Sequence, residues 1–154
     1  MKINRLLPAL AAVLALVFAG CGGGDDSNKK LSYSSFSTKA NDICQKAEDE
    51  NKALGKTTTA DATPENGELI GKLVGIVEKQ RDSLEDLKAP DQLAAAQDEF
   101  IKLTNQQIDL AKQAQTAAGA KDQTAYENAI KQLQALSGQA NAAGSKLGAK
   151  ACAS

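Results

Sequence analysis

The chain of 154 residues contains no histidine and no tryptophan, and its aromatic residues are two tyrosines and three phenylalanines. Without histidine it lacks the commonest metal ligand and the commonest general base. The di-iron helical bundles, which use a Glu-x-x-His motif, are therefore excluded. Carboxylate chemistry is not excluded, because Asp and Glu number 19. We expect no metal, no cofactor and no catalytic residue, and the protein is not predicted to be an enzyme.

An excess of one charge is also lacking, since 18 basic residues stand against 19 acidic ones and the two signs are mixed along the chain. Nucleic-acid binding needs a basic patch or stripe, so nucleic acid is not expected as a partner. Acidic neighbours do occur, as Glu48-Asp49-Glu50, Glu85-Asp86 and Asp98-Glu99. Successive helical positions diverge by about 100°, so these groups predict solvated helix faces rather than shared sites.

Large apolar side chains are scarce, because Leu, Ile, Val and Phe supply only 22 of the 134 residues that follow residue 20. So low a fraction indicates disorder when the net charge is high, but here the net charge is low. The same stretch holds 23 alanines, and alanine is the best helix former. The composition favours helices packed closely through small residues, with a partly disordered chain as the alternative.

The longest apolar run stands at the start of the chain. Lys2 and Arg5 flank its beginning, residues 6–18 are almost wholly apolar, and Ala19-Gly20 follows. This order of charge, apolar run and small-residue exit predicts a secretory signal peptide over residues 1–20. An uncleaved membrane helix is the alternative, but the run has 13 residues and a spanning helix needs roughly 20.

A cysteine follows this signal peptide directly. Phe18-Ala19-Gly20-Cys21 resembles the bacterial lipobox, in which an aliphatic residue and two small residues precede the cysteine, with Phe18 where leucine is usual. The resemblance implies cleavage before Cys21, a diacylglyceryl group on its sulfur, and often acylation of the freed amine. A chance cysteine beside an ordinary cleavage site is the alternative. Two or more acyl chains anchor a protein stably, so the membrane is expected as a partner through Cys21.

The residues after Cys21 predict a tether. Glycines at 22–24 give the chain freedom, and Asp25, Asp26, Lys29 and Lys30 favour water. We therefore predict a lipidated cysteine and flexible tether over 21–35 and a helical domain over 36–154. The domain is expected on the extracytoplasmic side of the cell membrane or the outer membrane.

Four segments repeat their apolar residues at helical spacing, and none alternates as a strand does. They run from about Ser37 to Leu54, Glu65 to Lys88, Pro90 to Gly119 and Asp122 to Leu147. The Thr-rich stretch after Gly55 predicts a loop, and the other two connections are short. These features predict an all-α, antiparallel up-down-up-down four-helix bundle.

The expected core residues occupy one face of each helix. They are Phe36, Ala40, Ile43, Cys44, Ala47 and Leu54 in the first, Leu69, Ile70, Leu73, Ile76, Val77, Leu84 and Leu87 in the second, Leu93, Ala96, Phe100, Leu103, Leu110, Ala114 and Ala117 in the third, and Tyr126, Ile130, Leu133, Leu136, Ala140 and Leu147 in the fourth.

Two short motifs in these helices have functional interpretations. Gly71 and Gly75 form a G-x-x-x-G, which in a membrane helix suggests dimerisation. Charged neighbours such as Lys72 and Glu78 indicate a close helix contact inside a soluble domain instead. The stretch Leu103-Thr104-x-x-Gln107 resembles the L-T-x-x-Q motif of helical periplasmic stress chaperones, which typically carry two copies where this chain has one. That resemblance implies a chaperone-like role as an alternative.

Two cysteines remain, Cys44 in the first helix and Cys152 near the end of the sequence. The signal peptide places both in an oxidising setting, where disulfides persist. In an antiparallel bundle the start of the first helix and the end of the fourth lie at one end. We predict a Cys44–Cys152 disulfide, with two inert thiols or a redox pair as alternatives, although no C-x-x-C motif supports the redox pair.

The stretch that contains Cys44 matches a wider pattern. Phe36-x-x-x-Ala40-Asn41-x-Ile43-Cys44 resembles a group of small bacterial secreted lipoproteins that carry this motif and a cysteine near the C-terminus. The resemblance implies a small helical domain, the Cys44–Cys152 bridge and no assigned activity.

We expect a lipid-anchored cell-envelope protein with a monomeric domain. The domain is expected to be a binding or interaction module for a protein, glycan or small molecule. An accessory factor, a chaperone-like periplasmic protein and a tethered enzyme with an unrecognised site are the alternatives.

Overall fold

The computed structural model describes residues 29–55 and 61–153. Within these ranges lie four α-helices, and a 3-10 helix that we call the C-terminal turn follows them. The helices are α1 (Tyr33–Ala53), α2 (Pro64–Glu85), α3 (Asp91–Gly119) and α4 (Gln123–Lys146), and the C-terminal turn is Lys150–Ala153. No strand occurs in the described ranges. The predicted all-α architecture of four helices is confirmed.

Side-chain caps determine where three of the helices begin. Ser32, Thr63 and Asp122 each accept a hydrogen bond from the backbone N–H three residues further on, which satisfies a donor that the helix itself leaves free. Because Ser32 caps α1, the helix begins at Tyr33, four residues earlier than the sequence pattern indicates. The first turn of α1 therefore lies within residues 21–35, the span expected to form the tether.

The connection between α2 and α3 is fixed by one glutamine. The side-chain amide of Gln97 donates to the backbone carbonyls of Leu84 and Leu87. These bonds satisfy acceptors that the end of a helix leaves free. The helix ends at Glu85, earlier than the expected Lys88.

The helices pack in sequence order. α3 packs along both α2 and α4, whereas α1 packs against α2 and the C-terminal turn. Glu78 forms an ion pair with Lys112 at 2.7 Å, and Arg81 donates to Asn105 at 2.8 Å. Going from Glu78 to Arg81 along α2, the contacting residue on α3 therefore moves back from Lys112 to Asn105. This order favours the up-down-up-down arrangement.

Most of the buried apolar residues fall into two clusters. The proximal cluster comprises Phe36, Ala40, Cys44, Leu84, Ala89, Leu93, Phe100, Leu103, Ala140, Ala143, Leu147, Ala149 and Cys152. The distal cluster comprises Ala62, Ile70, Val74, Ile108, Ala114, Ala117, Ala118, Tyr126 and Ala129. All four helices and the C-terminal turn contribute to the proximal cluster. The distal cluster takes its residues from α2, α3, α4 and the segment before α2.

Alanines hold several positions that the sequence pattern assigns to larger residues. Ala129 and Ala143 are buried on α4, whereas the expected Leu133 is only half-buried. On α3, Ile108 is buried at 3% exposure and the expected Leu110 is half-buried. Small residues allow helix backbones to approach closely, and α4 buries Ala129 and Ala143 more fully than Leu133.

The close contact between α2 and α3 lies one turn away from the expected position. A Cβ added to Gly67 would lie 3.2 Å from the backbone oxygen of Gln115 and 3.3 Å from the Cβ of Ala118. Gly71 faces the side chain of Gln115, whereas a Cβ on Gly75 would meet no described atom within 4 Å. The expectation for Gly75 is therefore wrong, and Gly67 and Gly71 make the contact.

Candidate functional site

The three predicted site cysteines have different outcomes. Cys21 and the signal peptide lie outside the described residues. Cys44 and Cys152 form a disulfide with their Cα atoms 5.1 Å apart, so the predicted pairing is confirmed. Both are buried, at 2% and 5% exposure. The bridge joins α1 to the C-terminal turn.

Residues of the F-x-x-x-A-N-x-I-C motif form the seat for the C-terminal turn. Phe36 and Ala40 are fully buried in the proximal cluster. The side-chain oxygen of Asn41 accepts a hydrogen bond from the backbone N–H of Ala151 at 3.1 Å, and Cys44 supplies the covalent link. The motif is therefore accounted for by the packing of the C-terminal turn on α1.

Two glycines allow the chain to fold back after α4. A Cβ on Gly144 would overlap the carbonyl oxygen of Cys152 and come within 2.6 Å of its carbonyl carbon. Gly148 has a φ of +71°, a conformation that glycine adopts without strain. A Cβ there would also crowd the Tyr33 hydroxyl at 2.5 Å and the Ser37 hydroxyl at 2.7 Å. From the sequence alone, Gly144 and Gly148 would only be expected to weaken the last helix, since glycine is a poor helix former.

A cleft of about 160 Å³ lies beside the disulfide, between α1, α2 and the C-terminal turn. Cys44, Ala47, Glu48, Asn51, Leu73, Ile76, Val77, Gln80 and Ala151 line it. The Gln80 amide donates to the Cys44 sulfur at 3.1 Å. Glu48 pairs with Lys52 at 2.6 Å, and this hydrogen bond raises the pKa of Lys52. With a single carboxylate in its lining, the cleft does not bring together an acid and a base.

Two larger grooves meet on the outer side of α3, and we call them together the α3 surface. The α2–α3 groove measures about 420 Å³ and is lined by Glu85, Gln97, Asp98, Ile101, Lys102, Asn105, Gln106 and Asp109. The α3–α4 groove measures about 430 Å³ and is lined by Gln106, Asp109, Leu110, Gln132, Ala135, Leu136 and Gln139. Their shared residues are Gln106 and Asp109.

The α3–α4 part of the α3 surface consists mainly of amides above an apolar floor, whereas the α2–α3 part also carries the charged residues Glu85, Asp98 and Lys102. Each of three side-chain amides in the α3–α4 part offers two hydrogen-bond donors and an acceptor, namely those of Gln106, Gln132 and Gln139. Leu110 and Leu136 supply half-buried apolar area between them. Such a surface can make directional hydrogen bonds and bury carbon. In the sequence, the one feature that points to this surface is that glutamine is frequent between Gln92 and Gln139.

Two residues of the L-T-x-x-Q motif are buried in the interior of the bundle. Leu103 and Thr104 are buried at 8% and 2% exposure. The Thr104 hydroxyl donates to the Phe100 carbonyl one turn earlier, at 2.9 Å. Packing and this bond account for both side chains.

The acidic neighbours do not converge on a site. Among the described residues, no group of three or more Cys, Asp or Glu side chains could hold a metal ion. Glu99 pairs with Lys146 at 2.7 Å, and Asp49 accepts from Gln45 on its own helix. These contacts are those of solvated helix faces.

A buried tyrosine hydroxyl stands apart from these surfaces. Tyr126 is fully buried in the distal cluster, and its hydroxyl has no hydrogen-bond partner among the described residues. Burial raises the pKa of Tyr126, and the charge of Asp61 raises it further. Helical periodicity placed Tyr126 on the apolar face but gave no signal for the hydroxyl.

In residues 29–55 and 61–153, no helix combines the length and apolar character that a membrane span requires. No family model, curated protein or solved structure matches the chain. The candidate sites therefore rest on the residues themselves.

Proposed function

We propose that the protein is attached to the cell envelope through a lipidated Cys21 and that its helical domain is a binding module. Two different observations support the two parts of this proposal. The lipobox-like sequence Phe18-Ala19-Gly20-Cys21 supports the anchor. The α3 surface supports the binding role, and it carries that part of the proposal.

The α3 surface is favoured as the binding site because of its size and composition. Its two grooves, about 420 and 430 Å³, are each more than twice the 160 Å³ cleft beside the disulfide. Amides that donate and accept, set around apolar side chains, suit a partner with mixed polar and apolar character. Titratable pairs suited to acid–base catalysis are not required for such a role.

The anchor is tested by phase partitioning and mass spectrometry. The mature protein is expected in the detergent phase of Triton X-114, with the mass of an acylated N-terminal cysteine. The Cys21→Ser protein lacks the thiol that accepts the lipid and is expected in the aqueous phase or as uncleaved precursor. Wild-type protein without an acyl mass would contradict the anchor.

The binding role is tested by photo-crosslinking in cells. A photoreactive amino acid is placed at Gln106 or Gln132 in the α3 surface, and at exposed Lys39 on α1 as the control. Discrete adducts are expected from the first two positions only, because a partner in the grooves covers them. Equal labelling at all three positions, or none, would contradict the proposed surface.

A further inference from the structure

The α2–α3 part of the α3 surface carries charges that the fold leaves unpaired. Its groove is lined by four exposed charged side chains, those of Glu85, Asp98, Lys102 and Asp109. None of the four forms an ion pair or a hydrogen bond with another side chain among the described residues. Three carboxylates therefore stand against one ammonium group, and the groove has an excess of negative charge.

The charged residues around this groove do not compensate that excess. Those nearby form pairs of opposite charge, which are Arg81–Asp82, Glu78–Lys112, Glu99–Lys146 and Lys30–Asp91. Asp86 and Lys88 in the α2–α3 connection contribute one exposed charge of each sign, as do Glu127 and Lys131 at the start of α4. The carboxylates of the groove therefore favour a cationic partner, since complementary charge determines which partner binds and how fast it associates.

The α3–α4 part offers hydrogen-bonding groups that the fold does not use. The side chains of Gln106 and Gln139 make no hydrogen bond with a described residue, and Leu110 and Leu136 lie half-buried in the same groove. An extended polypeptide presents backbone N–H and C=O groups that need partners, whereas a helix satisfies its own. These amides therefore suit an extended segment, with an apolar side chain against the leucines.

The two parts of the surface are held at a fixed separation by α3. Asp98 and Leu110 lie 12 positions apart on this helix, which corresponds to about 18 Å at ~1.5 Å per residue. An extended chain advances ~3.3 Å per residue, so about five residues cover that distance. Gln106 and Asp109, which both grooves share, lie between the two ends.

We propose that the α3 surface binds an extended, basic segment of a protein partner, in which a lysine or arginine lies about five positions from an apolar residue. The basic side chain lies against Glu85 and Asp98, and the apolar one against Leu110 and Leu136. This inference rests on the proposed binding module and names the class of its partner. A neutral glycan would leave the carboxylates without a counter-charge, and the described lining contains no aromatic ring for a sugar to stack on.

Short fluorescent peptides test this occupant directly. The basic peptide has two adjacent lysines and, five positions further on, a leucine, in a background of serine and alanine. One matched peptide has glutamines in place of the lysines, and another has serine in place of the leucine. Fluorescence anisotropy measures the binding of each peptide to the mature, lipidated protein in a nonionic detergent. Each replacement should weaken binding about ten-fold, the first by loss of charge and the second by loss of apolar burial.

Carboxylate variants of the protein locate the binding. The groove set removes the three unpaired carboxylates and consists of Glu85→Gln, Asp98→Asn and Asp109→Asn. The matched set removes three exposed carboxylates away from the α3 surface and consists of Glu65→Gln, Asp42→Asn and Asp49→Asn. Circular dichroism checks that both proteins keep the wild-type helix content.

The groove set should weaken binding of the basic peptide about ten-fold and leave the glutamine peptide unaffected, whereas the matched set should change neither. The preference for the basic peptide should also fall at 1 M salt, where the screening length is about 3 Å. Equal effects of the two sets, or a basic peptide that binds no better than the glutamine peptide, would overturn the basic partner. A neutral tetramer of N-acetylglucosamine that binds in preference to the basic peptide would overturn it in favour of a glycan.

Photo-crosslinking from Gln106 in cells separates this inference from the proposed function. The groove set should reduce the adducts, and the matched set should not. Adducts that form equally in both sets, on a surface without preference for the basic peptide, would overturn the basic partner and keep the binding module. An absence of adducts in the wild-type background would overturn the binding module and this inference together.

Discussion

The proximal and distal halves of the bundle are held together in different ways. The proximal cluster contains Phe36, Leu84, Phe100 and Leu147, and the disulfide crosses it. In the distal cluster, five of the nine buried residues are alanines, and Tyr126 is the largest side chain. One half is held by large side chains and a covalent bond, and the other by close approach of backbones.

This difference determines which changes each half tolerates. Removing atoms from the proximal half leaves cavities or frees the C-terminal turn, and cavities are costly. In the distal half an added methyl group would overpack the contact between α2 and α3, because Gly67 lies directly against Gln115 and Ala118 of α3. The proximal half should therefore be sensitive to truncation, and the distal half to insertion. Gly144 is an exception within the proximal half, because it approaches the Cys152 carbonyl too closely to accept a methyl group.

Loss of the disulfide is expected to have the largest effect. The bridge closes a loop across a sequence separation of 108 residues, for which the chain-entropy model gives about 4 to 5 kcal/mol. A Cys44→Ala/Cys152→Ala protein should therefore lose more than about 10 °C of Tm. Thermal melts followed by circular dichroism measure this.

Hydrogen exchange then locates the loss. Amides of α1 and the C-terminal turn should lose the most protection in the cysteine variant, because they lose local contacts as well, while those at the start of α4 should lose only the part that depends on global unfolding. A melting temperature equal to that of the wild type, or uniform loss of protection, would mean that the bridge does not act on the proximal half in particular.

Gly144→Ala should have the next largest effect. The new methyl group would overlap the carbonyl of Cys152 and come within 3.1 Å of the Phe100 ring. Backbone must move to relieve this, so we expect a loss of about 3 kcal/mol in the free energy of unfolding. Urea denaturation measures the change.

Gly138→Ala is the matched control on the same helix, because a Cβ there meets no described atom within 4 Å. It should stabilise the protein by up to about 1 kcal/mol through helix propensity alone. If both substitutions have the same sign, the C-terminal turn does not rest on Gly144 in the way described.

The sequence predicted the helices better than it predicted which of their residues are buried. Periodicity located all four helices, and the predicted signal peptide together with the predicted topology indicated the disulfide. Helical period alone does not decide whether Ile108 or Leu110 is buried, or whether Ala143 or Leu133 is. That choice depends on the rotation of the helix about its axis, which is set by how closely its neighbour approaches. The contacts that Asn41 and Gly144 make with the C-terminal turn depend on a reversal of the chain after Lys146. Helical periodicity does not predict such a reversal.

A smaller effect is expected where the distal helices approach each other. Gly67→Ala places a methyl group 3.2 Å from the Gln115 backbone oxygen, and overpacking of this kind costs about 1 kcal/mol or more. Gly75→Ala on the same helix meets open space in the described structure and should gain up to about 1 kcal/mol. Chemical denaturation of both proteins tests the pair, and a loss for Gly75→Ala would move the helix contact back to the G-x-x-x-G first expected.

The smallest effect at neutral pH concerns the hydroxyl of Tyr126. Tyr126→Phe removes an oxygen that has no partner among the described residues, so the free energy of unfolding should change by less than about 1 kcal/mol at pH 7. The effect should grow in alkaline solution. Because burial raises the pKa of Tyr126 in the folded state, the hydroxyl is protonated more readily when folded than when unfolded.

The sign follows from linkage. The contribution of Tyr126 to stability is complete below its unfolded pKa of about 10 and is lost as the pH rises through the higher folded value. Wild-type stability should therefore fall more steeply above pH ~10 than that of Tyr126→Phe. In a Tyr33→Phe protein, which leaves Tyr126 as the single tyrosine of the chain, phenolate absorbance should appear together with unfolding measured by circular dichroism. Absorbance that rises near pH 10 while the helices stay intact would show that solvent reaches the hydroxyl, and that the distal half is more open than its packing indicates.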